Sequence, residues 1–189
     1  GGAGRMIDLT ADIAKAHLLL SHIENGAPKA INAALNRTIE GVRTDVTREV
    51  TRTYDIKARD VRAVMKIKKS DIASLRASLS GAGNPIPLIN FRVSPNKPGA
   101  QKAGTALRVS VKRSGGKVIS GAFVAQMKSG HVGVFVRKDK KRLPVQELYG
   151  PAVPQMMGGD KVQQAVLAGA EDRFPKRLDH EIERLLSKE

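Results

Sequence analysis

The sequence predicts an α+β fold: long N-terminal helices, a small antiparallel sheet of about four strands, and a C-terminal helix. Three observations lead to this fold class. Apolar residues recur every three or four positions over residues 27–53 and again over 160–187, which is the period of an α-helix. Between these segments, apolar and polar residues alternate as in half-buried strands. The predicted strands lie too close together in sequence for crossover helices, so they pair antiparallel.

The first third of the chain is predicted to be helical. A short helix over residues 8–23 ends at the segment 25–28, whose proline suits the first turn of the next helix. That next helix, over 27–53, carries an apolar stripe on one face for about seven turns. Gly41 lies inside it, at a cost of about 1 kcal/mol relative to Ala. The glycine therefore indicates close packing against a neighbouring element.

The remaining elements follow from capping and alternation. Asp55 is the predicted N-cap of a third helix over 56–64, and Asp160 is the predicted N-cap of the last helix, which Pro175 should kink. Residues 114–117 are predicted to form a hairpin turn. The predicted strands are residues 72–80, 107–112, 117–127 and 132–138, with a short extended piece over 86–93.

Charge is distributed unevenly along the chain. The net charge is +15, and residues 91–142 hold 13 Lys and Arg against a single Asp. Such a segment attracts polyanions, or forms a solvated rim, or meets an acidic neighbouring subunit. Contact with DNA would be salt-sensitive and independent of sequence, and the scarcity of aromatic residues argues against base stacking. The candidate DNA or subunit contacts are Arg108, Lys112, Arg113, Lys117, Lys138, Lys140, Lys141 and Arg142.

Residue types that carry catalysis or bind metals are sparse. The chain has no Cys, its four His show no zinc-ligand spacing, and it contains no Gly-x-Ser-x-Gly motif. Asp139 is the single acidic residue over 72–146, too few for a two-metal nuclease site on the sheet. No apolar run approaches the ~20 residues that span a bilayer. The sequence therefore predicts no enzyme, no cofactor, no metal and no membrane contact.

Residues 142–156, Arg-Leu-Pro-Val-Gln-Glu-Leu-Tyr-Gly-Pro-Ala-Val-Pro-Gln-Met, form a distinctive string that we call the signature string. It resembles the signature of the prophage minor tail protein Z family. Residues 86–91, 121–125 and 130–137 also fit that family. The resemblance covers residues 25–175, with 1–24 as an N-terminal extension and 176–189 as the end of the last helix. The string's main family positions are Arg142, Leu143, Pro144, Leu148, Tyr149, Gly150, Pro151, Pro154 and Met156.

This resemblance implies a structural protein of the virion. Members of the family complete the head-proximal end of the tail in long-tailed phages and contribute to head–tail joining. Related connector proteins commonly form rings, often sixfold. The implied partners are other tail and connector proteins, further copies of the chain and, non-specifically, phage DNA. The implied location is the virion tail, after assembly in the host cytoplasm. A free, sequence-independent nucleic-acid-binding protein is the alternative that the basic segment supports.

The signature string also has a physical interpretation. Its prolines fix φ and reduce the freedom of the unfolded chain, and Gly150 can adopt a positive φ. Together they would hold Leu148 and Tyr149 in one geometry without regular structure. The string suits either a buried clamp over the sheet or a rigid subunit contact. We favour the clamp, because packed apolar loops are common.

Overall fold

A computed structural model of the chain describes residues 9–102, 105–139 and 141–188. It confirms the α+β fold class, with long helices before and after short antiparallel strands. The helices are α1 (Thr10–Leu19), α2 (Gly26–Thr53), α3 (Ala58–Ala63), α4 (Val153–Met157) and α5 (Asp160–Leu186). The strands are β1 (Met65–Lys68), β2 (Ser78–Gly81), β3 (Arg92–Ser94), β4 (Leu107–Lys112), β5 (Gly115–Ile119), β6 (Ala122–Gln126), β7 (Val132–Arg137) and β8 (Val145–Glu147).

The described residues group into two compact units. The first unit contains residues 9–47, 65–81 and 159–188, and the second contains 48–64 and the described part of 82–158. Within these ranges the strands form three small sheets rather than one sheet of about four. These are β1-β2 in the first unit, and β3-β4-β5 and β6-β7-β8 in the second.

The first unit has a helical core. The apolar stripe of α2 packs against α1 and α5, and the alanines in that stripe leave room for large side chains from the other two helices. Each fully buried side chain of that size stabilises the unit by ~1.5–3 kcal/mol. The core residues are Ala16, Leu20, Ala27, Ala30, Ile31, Ala34, Phe174, Leu178 and Ile182. Helix α5 continues without a break through Pro175.

A buried ion pair joins α2 to α5 within this unit. Arg173 Nη1 lies 2.9 Å from Asp45 Oδ2, and the Asp45 side chain is only 4% exposed. Two glycines make space for the pair. A Cβ on Gly41 would lie 2.6 Å from Arg173 Cδ, and one on Gly169 would lie 2.6 Å from Asp45 Oδ2. The close packing predicted at Gly41 is confirmed, and the group that needs the space is Arg173.

The second unit is built around two central strands, β4 and β7. Strand β4 pairs antiparallel with β3 and β5, and β7 pairs antiparallel with β6 and β8. Leu107 and Val109 are buried while Arg108 between them is exposed, as the period of two requires. Val134 of β7 and Met156 of α4 have no exposed surface. The alternation that predicted β4 therefore identifies its core face correctly.

The predicted strand over 72–80 is wrong over residues 72–77. Asp71 Oδ1 accepts the backbone N–H groups of Ala73 at 2.9 Å and Ser74 at 2.7 Å, and Leu75 has a φ of 41°. An Asp side chain that binds nearby N–H groups competes with a sheet ladder for them. The chain therefore turns after Asp71, and β2 begins only at Ser78. Its partner β1 was not predicted.

Both predicted N-caps are also wrong. The N-cap of α3 is Lys57, while the backbone N–H of Asp55 donates to Val111 O at 2.9 Å. The N-cap of α5 is Gly159, and Asp160 is the first helical residue. A carboxylate in that first turn still interacts favourably with the helix dipole.

The predicted extended piece over 86–93 is wrong in its middle, where Leu88–Asn90 form a 3-10 helix, and the strand β3 begins only at Arg92. The differences that follow are boundaries. The first helix is shorter than the predicted 8–23. The predicted strand over 117–127 is divided into β5 and β6 at Gly121, whose φ of 72° suits a turn. The turn of the β4–β5 hairpin lies at residues 113–114, so both following glycines belong to β5.

Candidate subunit-contact and DNA-contact surfaces

Four of the candidate basic residues lie on the β4–β5 hairpin: Arg108, Lys112, Arg113 and Lys117. All four are exposed. In the register of the hairpin, Arg108 is opposite Val118, whereas Lys117 is opposite the buried Val109. Directly opposite residues share a face of the sheet, so Arg108 and Lys117 lie on different faces. The hairpin therefore presents positive charge on both sides.

Arg113 also has a structural task. Its Nε donates to Thr51 O at 2.7 Å, and its backbone N–H donates to Thr53 O at 3.0 Å. These carbonyls belong to the last turn of α2, where the backbone carbonyl groups have no N–H partner within the helix. A guanidinium at that position also interacts favourably with the negative end of the helix dipole. Arg113 therefore anchors the hairpin to the end of α2.

The other candidate basic residues form a second group, after β7. Lys138, Lys141 and Arg142 are exposed, and the backbone N–H of Lys138 donates to Pro144 O at 3.4 Å. Lys140 lies outside the described residues. The structure thus places the candidates in two groups, one on the β4–β5 hairpin and one between β7 and β8.

The middle of the signature string is held by backbone hydrogen bonds on both sides. Leu148 N–H donates to Val134 O at 2.8 Å, and Gly150 N–H donates to Ile86 O at 2.7 Å. Gly150 does not have the positive φ that we predicted. It is needed for space instead, because a Cβ there would lie 2.7 Å from Phe91 Cε2. The middle of the string is therefore fixed between β7 and the segment before β3.

Burial changes along the string. Leu143 is 66% exposed and Tyr149 is 52% exposed, whereas Val153 and Met156 are buried in α4. Pro151 lines one side of an apolar groove of about 930 Å³, whose other walls include strands β4 and β5. The end of the string is therefore buried, whereas Leu143 near its start and Tyr149 in its middle are exposed.

A polar network around Glu147 was not anticipated. Glu147 Oε1 lies 2.8 Å from His131 Nε2, and Glu147 Oε2 accepts the hydroxyl of Tyr149 at 2.9 Å. The hydrogen bond from Tyr149 to the Glu147 carboxylate raises the pKa of Tyr149 above its usual value. A Cβ on Gly133 would lie 2.6 Å from Glu147 Oε1. A glycine within a strand pattern is the sequence signal that marks such an approach.

Comparison with known protein families identifies the family of the chain. The family model described as prophage minor tail protein Z matches residues 13–188. The chain belongs to this family. The predicted family resemblance is thereby confirmed, and the chain is a structural protein of a phage tail. Searches of curated proteins and of solved structures gave no match.

Metal-ligating clusters and helices that could span a membrane are both absent from residues 9–102, 105–139 and 141–188 of this minor tail protein Z family member. Within those ranges, no group of three or more His, Asp or Glu side chains is arranged to hold a metal ion. No described helix is both long and apolar enough to cross a membrane. The candidate surfaces described above are the basic hairpin, the basic loop after β7 and the signature string.

Proposed function

We propose that this chain completes the head-proximal end of the tail and contributes to head–tail joining, without a catalytic role. In this proposal it is one subunit of a closed ring, assembled in the host cytoplasm, whose basic hairpin lies near DNA. Membership of the minor tail protein Z family carries the proposal. The exposed parts of the signature string, Leu143 and Tyr149, supply a surface for contacts with neighbouring proteins.

The charge of the second unit supports the DNA-facing part of the proposal. Residues 91–142 carry 13 cationic side chains and one carboxylate, and Arg108, Lys112 and Lys117 are exposed on the hairpin. A surface that contacts DNA only through phosphates needs no base-specific groups. The hairpin would therefore contact DNA in the same way whatever the base sequence.

Head–tail joining in vitro tests the functional role. Unjoined heads and tails, purified from cells in which the phage is produced without this chain, should form infectious phage only after the purified protein is added. Light scattering and negative-stain images of the same protein should show closed rings. A protein that persists as a monomer and binds neither tails nor head connectors would contradict the proposal.

A salt titration tests the contact with DNA. The logarithm of the association constant for duplex DNA should fall linearly with the logarithm of the salt concentration. The magnitude of the slope should be about 0.9 per phosphate contact. Replacing Arg108, Lys112 and Lys117 together by Ala should reduce that slope by up to about 2.7. Replacing three exposed cations elsewhere, Arg62, Arg76 and Lys128, should change it less. An unchanged slope in the hairpin variant would exclude the hairpin as the DNA contact.

The same measurements decide on the alternative, a free nucleic-acid-binding protein. That function predicts strong, salt-dependent DNA affinity in a chain that neither forms rings nor joins heads to tails. The proposed function predicts joining activity that depends on assembly, with DNA contact as a secondary property.

A further inference from the structure

Helix α5 separates its charges onto different faces. Its core face carries Phe174, Leu178 and Ile182. At 3.6 residues per turn, Arg177 and Arg184 form one stripe, and Asp179 and Glu183 form another roughly 120° away. One helix therefore presents a basic surface and an acidic surface that do not overlap.

The basic stripe forms one wall of a groove of about 890 Å³ in the first unit. Arg37 and Glu40 of α2 form the opposite wall, and Lys69 lies at the groove as well. The neighbouring Ser70 is held against α2 by Asn36, whose side chain accepts the Ser70 N–H at 2.8 Å and donates to its carbonyl at 3.0 Å. This bidentate contact fixes the position of Lys69.

The charges in this basic groove are only partly neutralised. Arg184 lies 2.7 Å from the nearly buried Glu181, and Lys69 lies 3.9 Å from Glu40. Arg37 and Arg177 form no ion pair with any carboxylate in the described ranges. Four cations against two carboxylates leave two positive charges in the groove. A guanidinium group can bind a carboxylate from a partner through two parallel hydrogen bonds.

The acidic stripe of α5 continues onto α1, and we call this surface the acidic edge. Lys15 Nζ lies 2.9 Å from Asp179 Oδ1. Asp179, through this hydrogen bond and its charge, raises the pKa of Lys15 most, and Asp12 and Glu183 raise it further. Three carboxylates around one ammonium leave two negative charges. Leu18, three positions after Lys15 on the same helix, is 76% exposed and adds an apolar contact.

We propose that the acidic edge of one copy of the chain docks in the basic groove of the next copy. This inference rests on the ring in the proposed function and names the surfaces that would build it. Two different, complementary patches on one subunit make a heterologous contact, and such contacts close into rings when the rotation between subunits permits. The opposite charges set the orientation and speed the encounter.

Charge reversal with rescue tests the proposal. The groove variant carries Arg37→Glu and Arg177→Glu, the edge variant carries Asp179→Lys and Glu183→Lys, and a third chain carries all four changes. Exposed ion pairs contribute ~0.2–1 kcal/mol each, so replacing attraction by repulsion at two pairs should weaken self-association on the order of tenfold to a hundredfold. The four-fold variant should assemble again. A control with Arg62→Glu and Arg76→Glu should assemble like the parent chain.

Light scattering over a range of concentrations gives the outcomes, with circular dichroism to verify folding. A parent chain that stays monomeric, self-association that ignores both reversals, or loss that the four-fold variant does not restore would each overturn the inference. Retained self-association with lost DNA binding in the groove variant would assign the groove to nucleic acid and also overturn it. Head–tail joining by the parent chain is scored separately, so the proposed function can survive that result.

Discussion

Replacing Gly41 by Ala should destabilise this protein, although the same change stabilises an ordinary helix interior by about 1 kcal/mol. The added Cβ would lie 2.6 Å from Cδ, Cζ and Nε of Arg173. It must therefore displace the guanidinium from Asp45, whose side chain is 4% exposed. Removing one partner of a buried ion pair costs ~3–5 kcal/mol.

The low end of that range applies here, because the Arg173 side chain is 28% exposed and can reach water when displaced. A loss of ~3 kcal/mol offset by a propensity gain of ~1 kcal/mol leaves a net loss of ~2 kcal/mol. For a chain of this length, that loss lowers the melting temperature by roughly 4–8 °C.

A double-mutant cycle with Arg173→Ala isolates the effect. In the Arg173→Ala background the space beside residue 41 is open, so Gly41→Ala should now stabilise by about 1 kcal/mol. Urea denaturation followed by circular dichroism gives the free energies of unfolding, and hydrogen exchange in α2 and α5 assigns them to the first unit. Stabilisation by Gly41→Ala in the parent chain, or an equal cost with and without Arg173, would refute the reasoning.

Three further predictions concern the second unit. Glu147→Gln should lower the pKa of Tyr149 toward 10, as measured by absorbance titration in a Tyr54→Phe background. Because the pKa of Tyr149 is raised in the folded chain, its hydrogen bond to Glu147 contributes its full stabilisation of the fold below about pH 10. That contribution is lost as the pH rises through the pKa of Tyr149 in the folded chain. Arg113→Ala should cost ~0.3–1 kcal/mol and speed hydrogen exchange in the last turn of α2, whereas Arg113→Lys should retain part of the dipole interaction. Gly133→Ala should cost ~1–3 kcal/mol in thermal unfolding, because its Cβ would displace Glu147 from His131; an unchanged melting temperature would contradict that contact.

Elements with a long, uninterrupted period could be predicted from the sequence. Helix α2 was predicted over 27–53 and begins one residue earlier. The prediction succeeds because the apolar stripe keeps the helical period over many turns. Strand β4 was predicted over its full length for the corresponding reason, alternation with Leu107 and Val109 on the core face. The segment after Asp71 alternates equally well, but one local side chain redirects its backbone hydrogen bonds.

Contacts between distant positions could not be predicted in the same way. Asp45 and Arg173 are 128 positions apart, and only the glycine at 41 signalled that something approaches α2. Arg113 was identified by its charge, yet its bond to Thr51 depends on how the hairpin meets the end of α2. The Glu147 network joins a turn to the signature string, and a period along one segment carries no information about such a junction.

The position of the chain in an intact particle tests the tail-completion role most directly. Electron cryomicroscopy of complete virions should show a ring of these subunits at the head-proximal end of the tail, with the β4–β5 hairpin toward the channel that DNA traverses. Density for the chain at the distal tip or along the tube, or a junction that lacks the chain, would contradict the role proposed here.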